Sequence, residues 1–398
     1  MMSSDSRAVR LKALFLSHAS CLLPGGGGQQ QCTREYRETL SAAGFDLLDC
    51  LFETDRSWTT RVRRWAWRRP YANVIPRTYF DHVADVAREH RPAWVFCNLY
   101  NFVPFGGILR QRIGEGVRLV LLSHGLASVD ELHAVRFFAT RGKSNPRTGD
   151  ASIGRMLRVE ASGLPAFDHV FCLAPFEVEI CRWLGATSVS WLPRTIPWEP
   201  ALAWRPTGNR IGCVGTLDHP PNQEGIELFC AALANVAPAG LRLRLVTRSR
   251  AVAADLASRY RFVDDLGPMD EPGALEREAS TWSVFVNPIF CHAMGCSTKV
   301  ATALAWGIPV LTTPEGLRGY DWRTGELPTP RTAVGMAREA VMLLDSSRAA
   351  ACREEVLKAA KSSTTSADIA TRIRRDLRLA PGSTELPVCR RLASRQLT

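Results

Sequence analysis

The chain has 398 residues, which is too long for one ordinary hydrophobic core and predicts two domains of roughly 150–200 residues each. Apolar residues make up 46% of the sequence and charged residues 22%, which excludes a largely disordered chain. The formal net charge of +11 favours an anionic partner, and no stretch reaches the ~18 consecutive apolar residues of a membrane-spanning helix.

Short apolar runs alternate with longer helical patterns in the first half of the chain. The runs predict strands at 13–16, 47–52, 94–97, 119–122, 169–173 and 189–192. Helical periodicity predicts helices at 33–43, 79–90 and 175–184 between them. This alternation is typical of a parallel sheet covered by helices.

Residues 56–69, from Arg56 to Arg69, combine six arginines with three tryptophans. On a helix, Trp58, Val62 and Trp65 fall on one side with arginines beside them, which suits contact with anionic membrane headgroups. The other interpretation is a surface helix whose tryptophans pack on the core beneath extended arginine side chains. No nucleic-acid-binding motif accompanies the charge, so we expect no nucleic-acid partner.

A proline-rich segment separates the two halves. Pro193, Pro197 and Pro200 stand within eight residues, which neither a helix interior nor a central strand tolerates. We therefore expect an interdomain linker over 194–208. It would follow an N-terminal Rossmann-like domain over 1–193.

The strand and helix alternation restarts after the linker. Strands are predicted at 210–214, 241–246, 261–264, 283–286 and 309–312, and helices at 222–234, 251–259 and 298–306. Helices at 332–344, 348–360 and 369–377 follow, and the last residues are basic. The sequence thus predicts a second Rossmann-like domain over 209–360 and a C-terminal helix with a basic tail over 361–398. The two α/β/α domains would face a central cleft.

The twelve cysteines include no CxxC pair, which favours reduced thiols in a cytoplasmic protein. Cys291 and Cys296 lie near His292, but no second pair of ligands accompanies them. We therefore expect no metal site.

The most informative stretch, residues 285–310, has the pattern of a strand, a loop, a turn of small residues, a helix and a second strand. Ser297 is a suitable helix N-cap and Gly307 a suitable C-cap. Free backbone N–H groups at Ser297, Thr298 and Lys299 would hold phosphate at the positive end of the helix dipole, and Lys299 would add a charged hydrogen bond. The alternative is a capped helix that binds no ligand.

This stretch resembles the donor-binding segment of GT-B glycosyltransferases, especially the family 4, group 1 type. Lys299-Val300, Ala303-Leu304-Ala305, Gly307 and Pro309-Val310 match the family pattern K-V-x-E-A-L-A-x-G-x-P-V. The resemblance covers most of residues 11–375 and implies transfer of a sugar from a nucleotide sugar, without a cofactor or a metal. The donor-binding residues that it implies are Gly215, Arg248, Arg250, Gly295, Cys296, Ser297, Thr298, Lys299 and Thr302.

One departure from the family pattern concerns the sugar end of the donor. Met294 and Thr302 stand where the family has two glutamates that contact the donor's sugar and ribose. Thr302 keeps the capacity for one hydrogen bond, whereas Met294 can only pack. We expect Glu315, on a loop after the next strand, to take a catalytic role instead.

On the acceptor side, Gly26, Gly27 and Gly28 follow the first predicted strand and form either a ligand-binding loop or a flexible connection. His124 follows the strand at 119–122, where α/β proteins build their sites, and is our second catalytic candidate. A structural role as a cap for a neighbouring carbonyl is the alternative. His18 and Asn98 follow other strands and are candidate acceptor-binding residues.

Two functions remain open. The first is a hexosyltransferase-like enzyme that transfers a sugar to a glycan, lipid-linked or small-molecule acceptor in polysaccharide or glycoconjugate biosynthesis. It would be cytoplasmic, with peripheral contact to the inner face of the membrane if residues 56–69 bind lipid. The second is a non-catalytic GT-B-like protein that binds a nucleotide or a partner.

Overall fold

The computed structural model describes residues 10–23, 27–54, 58, 75–142, 146–196 and 202–379. They form two parallel sheets with helices on both faces, as predicted. The predicted Arg/Trp segment at 56–69 lies outside the described residues except for Trp58, which is exposed. None of the described helices is long and apolar enough to cross a membrane.

The N-terminal sheet has six strands in the order β2-β1-β3-β4-β5-β6. Its strands are β1 (Leu11–His18), β2 (Phe45–Phe52), β3 (Trp94–Asn98), β4 (Arg118–Leu122), β5 (His169–Cys172) and β6 (Val189–Trp191). The α-helices of this half are α1 (Gly28–Ala42), α2 (Arg77–His90), α3 (Gly106–Ile113), α4 (Ala127–Ala139), α5 (Pro146–Gly163) and α6 (Pro175–Trp183).

The near-continuous apolar character of β1 follows from burial on both faces, which parallel sheets require. Leu14 and Leu16 belong to the core on one face of the sheet. Ala13 and Phe15 belong to the core on the other face, because successive side chains of a strand point in opposite directions.

The C-terminal sheet has five strands in the order β11-β10-β7-β8-β9. They are β7 (Arg210–Val214), β8 (Arg242–Val246), β9 (Val263–Gly267), β10 (Val284–Asn287) and β11 (Val310–Thr312). The helices are α7 (Pro220–Leu233), α8 (Arg250–Arg259), α9 (Ala274–Ala279), α10 (Thr298–Trp306), α11 (Ala333–Met342), α12 (Ser346–Ser362) and α13 (Ser366–Asp376).

The last helix returns to the N-terminal domain. Ile369 and Ile373 of α13 are buried in the same core as Tyr36 and Leu40 of α1. A capping box formed by Thr365 and Asp368 fixes the start of this helix. The C-terminal helix predicted within 361–398 is therefore part of the N-terminal core rather than a separate element.

The strand predictions differ from the structure by at most three residues at any end, and the largest shift is at β9, which ends at Gly267 instead of 264. Helices α3, α4 and α5 have no counterpart among the predicted elements. At the start of the predicted linker, Arg194 is buried and donates a hydrogen bond to Glu35 of α1, so this part of the segment packs into the protein.

Candidate functional site

A cleft of about 990 Å³ lies between the two sheets and receives residues from both domains. Its walls are the start of α1, the β4–α4 loop, the β7–α7 turn and the β10–α10 loop. All four follow the carboxyl ends of strands or begin helices, which is where open α/β sheets place their ligands.

Two helix N-termini meet in this cleft. Neither Gly27, the N-cap of α1, nor Ser297, the N-cap of α10, provides a side-chain cap. Ser297 was predicted to cap α10, but its hydroxyl donates to Asn287 Oδ1 at 3.2 Å instead. A Cβ added to Gly28 would lie 2.8 Å from Thr298 Cγ2, so the two helix ends are in direct contact. The positive ends of both helix dipoles therefore act on the same volume.

Lys299 lies in the wall of this volume and is held by its neighbours. Its Nζ donates to Asn222 Oδ1 at 2.8 Å. Its side chain crosses Gly215, where an added Cβ would lie 2.7 Å from Lys299 Cε. Burial, helped by the positive charge of Arg318, lowers the pKa of Lys299 to about 8. A bound anion would reverse this shift by pairing with the ammonium group.

Arg318 supplies a second cation to the cleft lining. Its Nε donates to the Gly295 carbonyl at 2.8 Å, and a guanidinium NH₂ group donates to the Glu315 carbonyl at 2.6 Å. These bonds fix the guanidinium against the loop before α10. Glu315 itself does not line the cleft.

Two loops of opposite domains touch at the centre of the cleft. Gly125 has a φ of +126°, and a Cβ added there would lie 2.4 Å from the Gly295 nitrogen. Glu177 of α6 joins the same loops, because its Oε1 accepts hydrogen bonds from Leu126 N and Gly295 N, both at 3.0 Å. Its other oxygen has no hydrogen-bond partner, and burial raises the pKa of Glu177 to about 7.

His124 borders the cleft but is almost fully buried. Its Nε2 lies 2.7 Å from Asn98 Oδ1, and the Asn98 amide in turn donates to Ser17 and Thr33. Burial, helped by the positive charge of Arg194, lowers the pKa of His124 to about 3. The imidazole is therefore neutral near pH 7, which favours hydrogen bonding over proton transfer.

Asp130, on α4, brings a carboxylate to the cleft beside Met294. Its Oδ1 accepts from Met294 N at 2.8 Å, and its Oδ2 pairs with His219 Nε2 at 2.8 Å. Burial opposes ionisation, but the hydrogen bonds from His219 and Met294 outweigh it and lower the pKa of Asp130. An ionised carboxylate thus stands next to the position where a family glutamate is missing.

Cys296 also lines the cleft and contacts the start of the linker. One guanidinium nitrogen of Arg194, Nη1, lies 3.6 Å from Cys296 Sγ and donates to Cys32 Sγ at 2.9 Å. The hydrogen bond with Cys32 and the charge of Arg194 lower the pKa of the Cys296 thiol.

The structure brings most of the predicted site residues to this one cleft. The predicted residues among its lining are Gly27, Gly28, His124, Gly215, Cys296, Ser297, Thr298, Lys299 and Thr302. Gly295 contributes through its backbone contacts, and Gly26 lies outside the described residues.

The other predicted residues of the described chain are not in the cleft lining. Asn98 is completely buried behind His124, and His18 bonds to Ser20 and Thr54 at the end of β1. Arg248 and Arg250 are exposed and form surface ion pairs with Asp270 and Asp265. For these residues a role at the site is still a prediction.

Sequence reasoning missed Asp130, Asn222 and Arg318. Asn222, in the first turn of α7, and Arg318, in the turn after β11, lie in stretches that resemble the family. Polar side chains shortly after strand ends were the available signal. Asp130 has a weaker signal, an acidic residue in the first turn of a helix after a strand.

Comparison with known proteins agrees with this architecture. Residues 208–346 match the family model of glycosyl transferases group 1. Sucrose-phosphate synthase from Thermosynechococcus elongatus is 18% identical with a TM-score of 0.64, over 93% of this chain and 98% of that chain. HepE from Anabaena, in complex with UDP and glucose, is 14% identical with a TM-score of 0.62, over 93% of this chain and 100% of that chain.

A third similar structure is the apo form of the lipopolysaccharide outer core galactosyltransferase WaaB. It is 12% identical with a TM-score of 0.56, over 92% of this chain and 99% of that chain. No curated protein matches the sequence. The chain therefore has the two-domain fold of GT-B glycosyltransferases, and its residues 208–346 are of the glycosyl transferases group 1 type.

Proposed function

We propose that the protein transfers a sugar from a nucleoside diphosphate donor to an acceptor bound by the N-terminal domain. The observation that carries this proposal is the meeting of two uncapped helix N-termini, at Gly28 and Thr298, beside Lys299. Such an arrangement suits a compact dianion, because backbone N–H groups, helix dipoles and an ammonium group all act on one volume.

The same positive groups serve the chemistry of transfer. Breaking the bond between the sugar and the diphosphate leaves negative charge on the leaving group, which must be stabilised in the transition state. Lys299 and Arg318 lie in the cleft lining together with the two helix ends. We therefore propose a transfer that relies on these groups rather than on a metal ion bridging the phosphates.

At the sugar end we assign to Asp130 the hydrogen bonding that a family glutamate would otherwise provide. Asp130 approaches from the N-terminal domain, whereas Met294 occupies the family position in the C-terminal domain. A carboxylate can accept hydrogen bonds from two sugar hydroxyls, which a methionine cannot. His124, neutral and fixed by Asn98, would add a further hydrogen bond.

The acceptor would enter beside the start of α1, where Gly27, Gly28, Gln29 and Gln31 line the cleft. The acceptor classes that the proposal leaves open are glycans, lipid-linked sugars and small molecules. A role in polysaccharide or glycoconjugate assembly at the cytoplasmic side of a membrane is part of the proposal. For residues 56–69, contact with anionic lipid rests on the sequence alone.

A second function, nucleotide or partner binding without turnover, is favoured by one observation. Neither Met294 nor Thr302 offers a carboxylate, and the Thr302 hydroxyl lies 3.4 Å from the Thr298 carbonyl of its own helix. The phosphate end of the site would be complete in such a protein and the sugar end would not.

The two functions are separated by measuring binding and turnover on the same preparation. HepE binds UDP and glucose, so UDP-sugars are the first donors to test, followed by GDP-, ADP- and TDP-sugars. Nucleotide release with acceptor extracts, abolished by Lys299→Met and kept by the surface variant Arg88→Ala, would support the transferase. Calorimetric binding of UDP with no release from any donor would support the non-catalytic function.

A further inference from the structure

His133, Glu224 and Cys291 form a cluster of possible metal ligands, which we call the interdomain triad. His133 comes from α4 of the N-terminal domain, Glu224 from α7 and Cys291 from the loop after β10. Their ligand atoms all lie within 4.8 Å of one another. No other such group is found among the described parts of the chain.

The separations within the triad match those around a tetrahedral zinc ion. His133 Nε2 lies 3.3 Å from Glu224 Oε2 and 3.8 Å from Cys291 Sγ. With typical Zn–N, Zn–O and Zn–S bonds at tetrahedral angles, two ligand atoms stand about 3.3 Å apart for N···O and about 3.6 Å apart for N···S. For the two pairs that include His133, an ion between the atoms therefore requires shifts of only a few tenths of an ångström, and the third pair, Glu224 and Cys291, lies within 4.8 Å.

Close backbone packing holds together the two segments that carry Glu224 and Cys291. Gly225 packs against the loop after β10 so closely that an added Cβ would lie 1.7 Å from the Pro288 carbonyl oxygen. This contact places Cys291 beside Glu224.

Burial and charge in the triad also suit a cation. The side chain of His133 is only 11% exposed, and that of Glu224 is 31% exposed. A neutral imidazole, a carboxylate and a thiolate carry two negative charges, which a divalent ion would balance. Sulfur and nitrogen ligands select zinc-like ions over magnesium or calcium.

We propose that the interdomain triad binds a zinc-like transition-metal ion and so joins the two domains at one side of the cleft. Three protein ligands leave a fourth position for water. The sequence did not predict this site, because its ligands are about 70 to 160 positions apart along the chain and not in a spaced motif. The proposal does not depend on the transfer activity.

The test uses the full chain freed of metal with a chelator and titrated with Zn²⁺ in competition with a chromophoric indicator. We expect one tightly bound ion per chain. The variants Cys291→Ser, His133→Asn and Glu224→Gln should each lose more than the ~10–100-fold in affinity that outer-shell changes cost. The matched control is His292→Asn, an exposed neighbour of Cys291 that lies on the ring of Phe176 and should bind as the native chain does.

Substitution with Co²⁺ gives a readout that identifies the ligands. The native chain should show a thiolate-to-cobalt charge-transfer band together with the strong visible bands of a four-coordinate ion, and Cys291→Ser should lose the charge-transfer band. Circular dichroism of each metal-free variant separates loss of the site from loss of the fold. Absence of stoichiometric binding in the native chain, or equal affinity in folded Cys291→Ser, would overturn the proposal.

Discussion

Replacing Lys299 with methionine should weaken binding of a nucleoside diphosphate with little effect on the fold. Methionine has a similar length but carries no charge, and the hydrogen bond between Lys299 Nζ and Asn222 Oδ1 is lost with it. Hydrogen bonds to charged groups contribute about 1.5–3 kcal/mol, which corresponds to a factor of about 10–150 in the dissociation constant.

The pKa of Lys299 gives the same prediction a second, independent readout. Because burial lowers this pKa to about 8, the ammonium form falls from about 90% at pH 7 to about 10% at pH 9. Only the ammonium form attracts the diphosphate, so the native chain should bind about tenfold more weakly at pH 9 than at pH 7. The Lys299→Met variant should show no such loss.

Isothermal titration calorimetry with UDP at both pH values measures these effects. Arg88→Ala serves as the control, because Arg88 of α2 is exposed, pairs with Asp85 of the same helix and is not among the residues that line the cleft. Equal dissociation constants for the native chain and Lys299→Met at pH 7 would remove Lys299 from the phosphate site. A loss of affinity between pH 7 and pH 9 that persists in Lys299→Met would assign the titration to another group.

Three further predictions concern the sugar end and the contact between domains. Asp130→Asn should lower kcat for sugar transfer at least tenfold while calorimetry finds UDP binding nearly unchanged. The pKa of Glu177 is raised to about 7, so the native state holds this proton more tightly than the unfolded chain does. The native chain should therefore lose stability as the pH rises from 5 to 8, and urea unfolding of Glu177→Gln should show a flatter pH dependence. Gly125→Ala should weaken UDP binding and destabilise the chain, because its Cβ would meet the Gly295 nitrogen. Gly107→Ala, at a helical position with open space around it, should leave UDP binding unchanged and raise stability slightly.

The two sheets were predictable because their strands are short apolar runs bounded by turn residues. β7 (Arg210–Val214) was placed to the residue, and α10 (Thr298–Trp306) likewise, with Gly307 at its left-handed C-cap. Local patterns suffice there, since burial on both faces makes a parallel strand almost uniformly apolar. Helix α5 (Pro146–Gly163) was missed because Pro146, Gly149 and Gly154 are residue types that a sequence pattern associates with turns rather than with a helix.

The placement of the residues at the proposed phosphate end was predictable for a related reason. Ser297, Thr298 and Lys299 are consecutive residues at the start of one helix, so their placement follows from local structure. Their exact bonds did not follow, because the Ser297 hydroxyl is drawn to Asn287 rather than to its own helix. Arg248 and Arg250 show the same limit, since carboxylates on a neighbouring strand and loop hold them at the surface.

The sugar end depends on contacts that no local pattern reveals. Asp130 reaches Met294 across 164 positions of sequence, and Glu177 reaches Gly295 across 118. Both carboxylates come from the N-terminal domain and bind backbone N–H groups of one loop in the C-terminal domain. Met294 stands on that loop where the resemblance predicts a glutamate, so under the proposed function the sugar meets a carboxylate only through Asp130 of the other domain. Gly125 is the residue whose missing side chain permits the contact between the two loops.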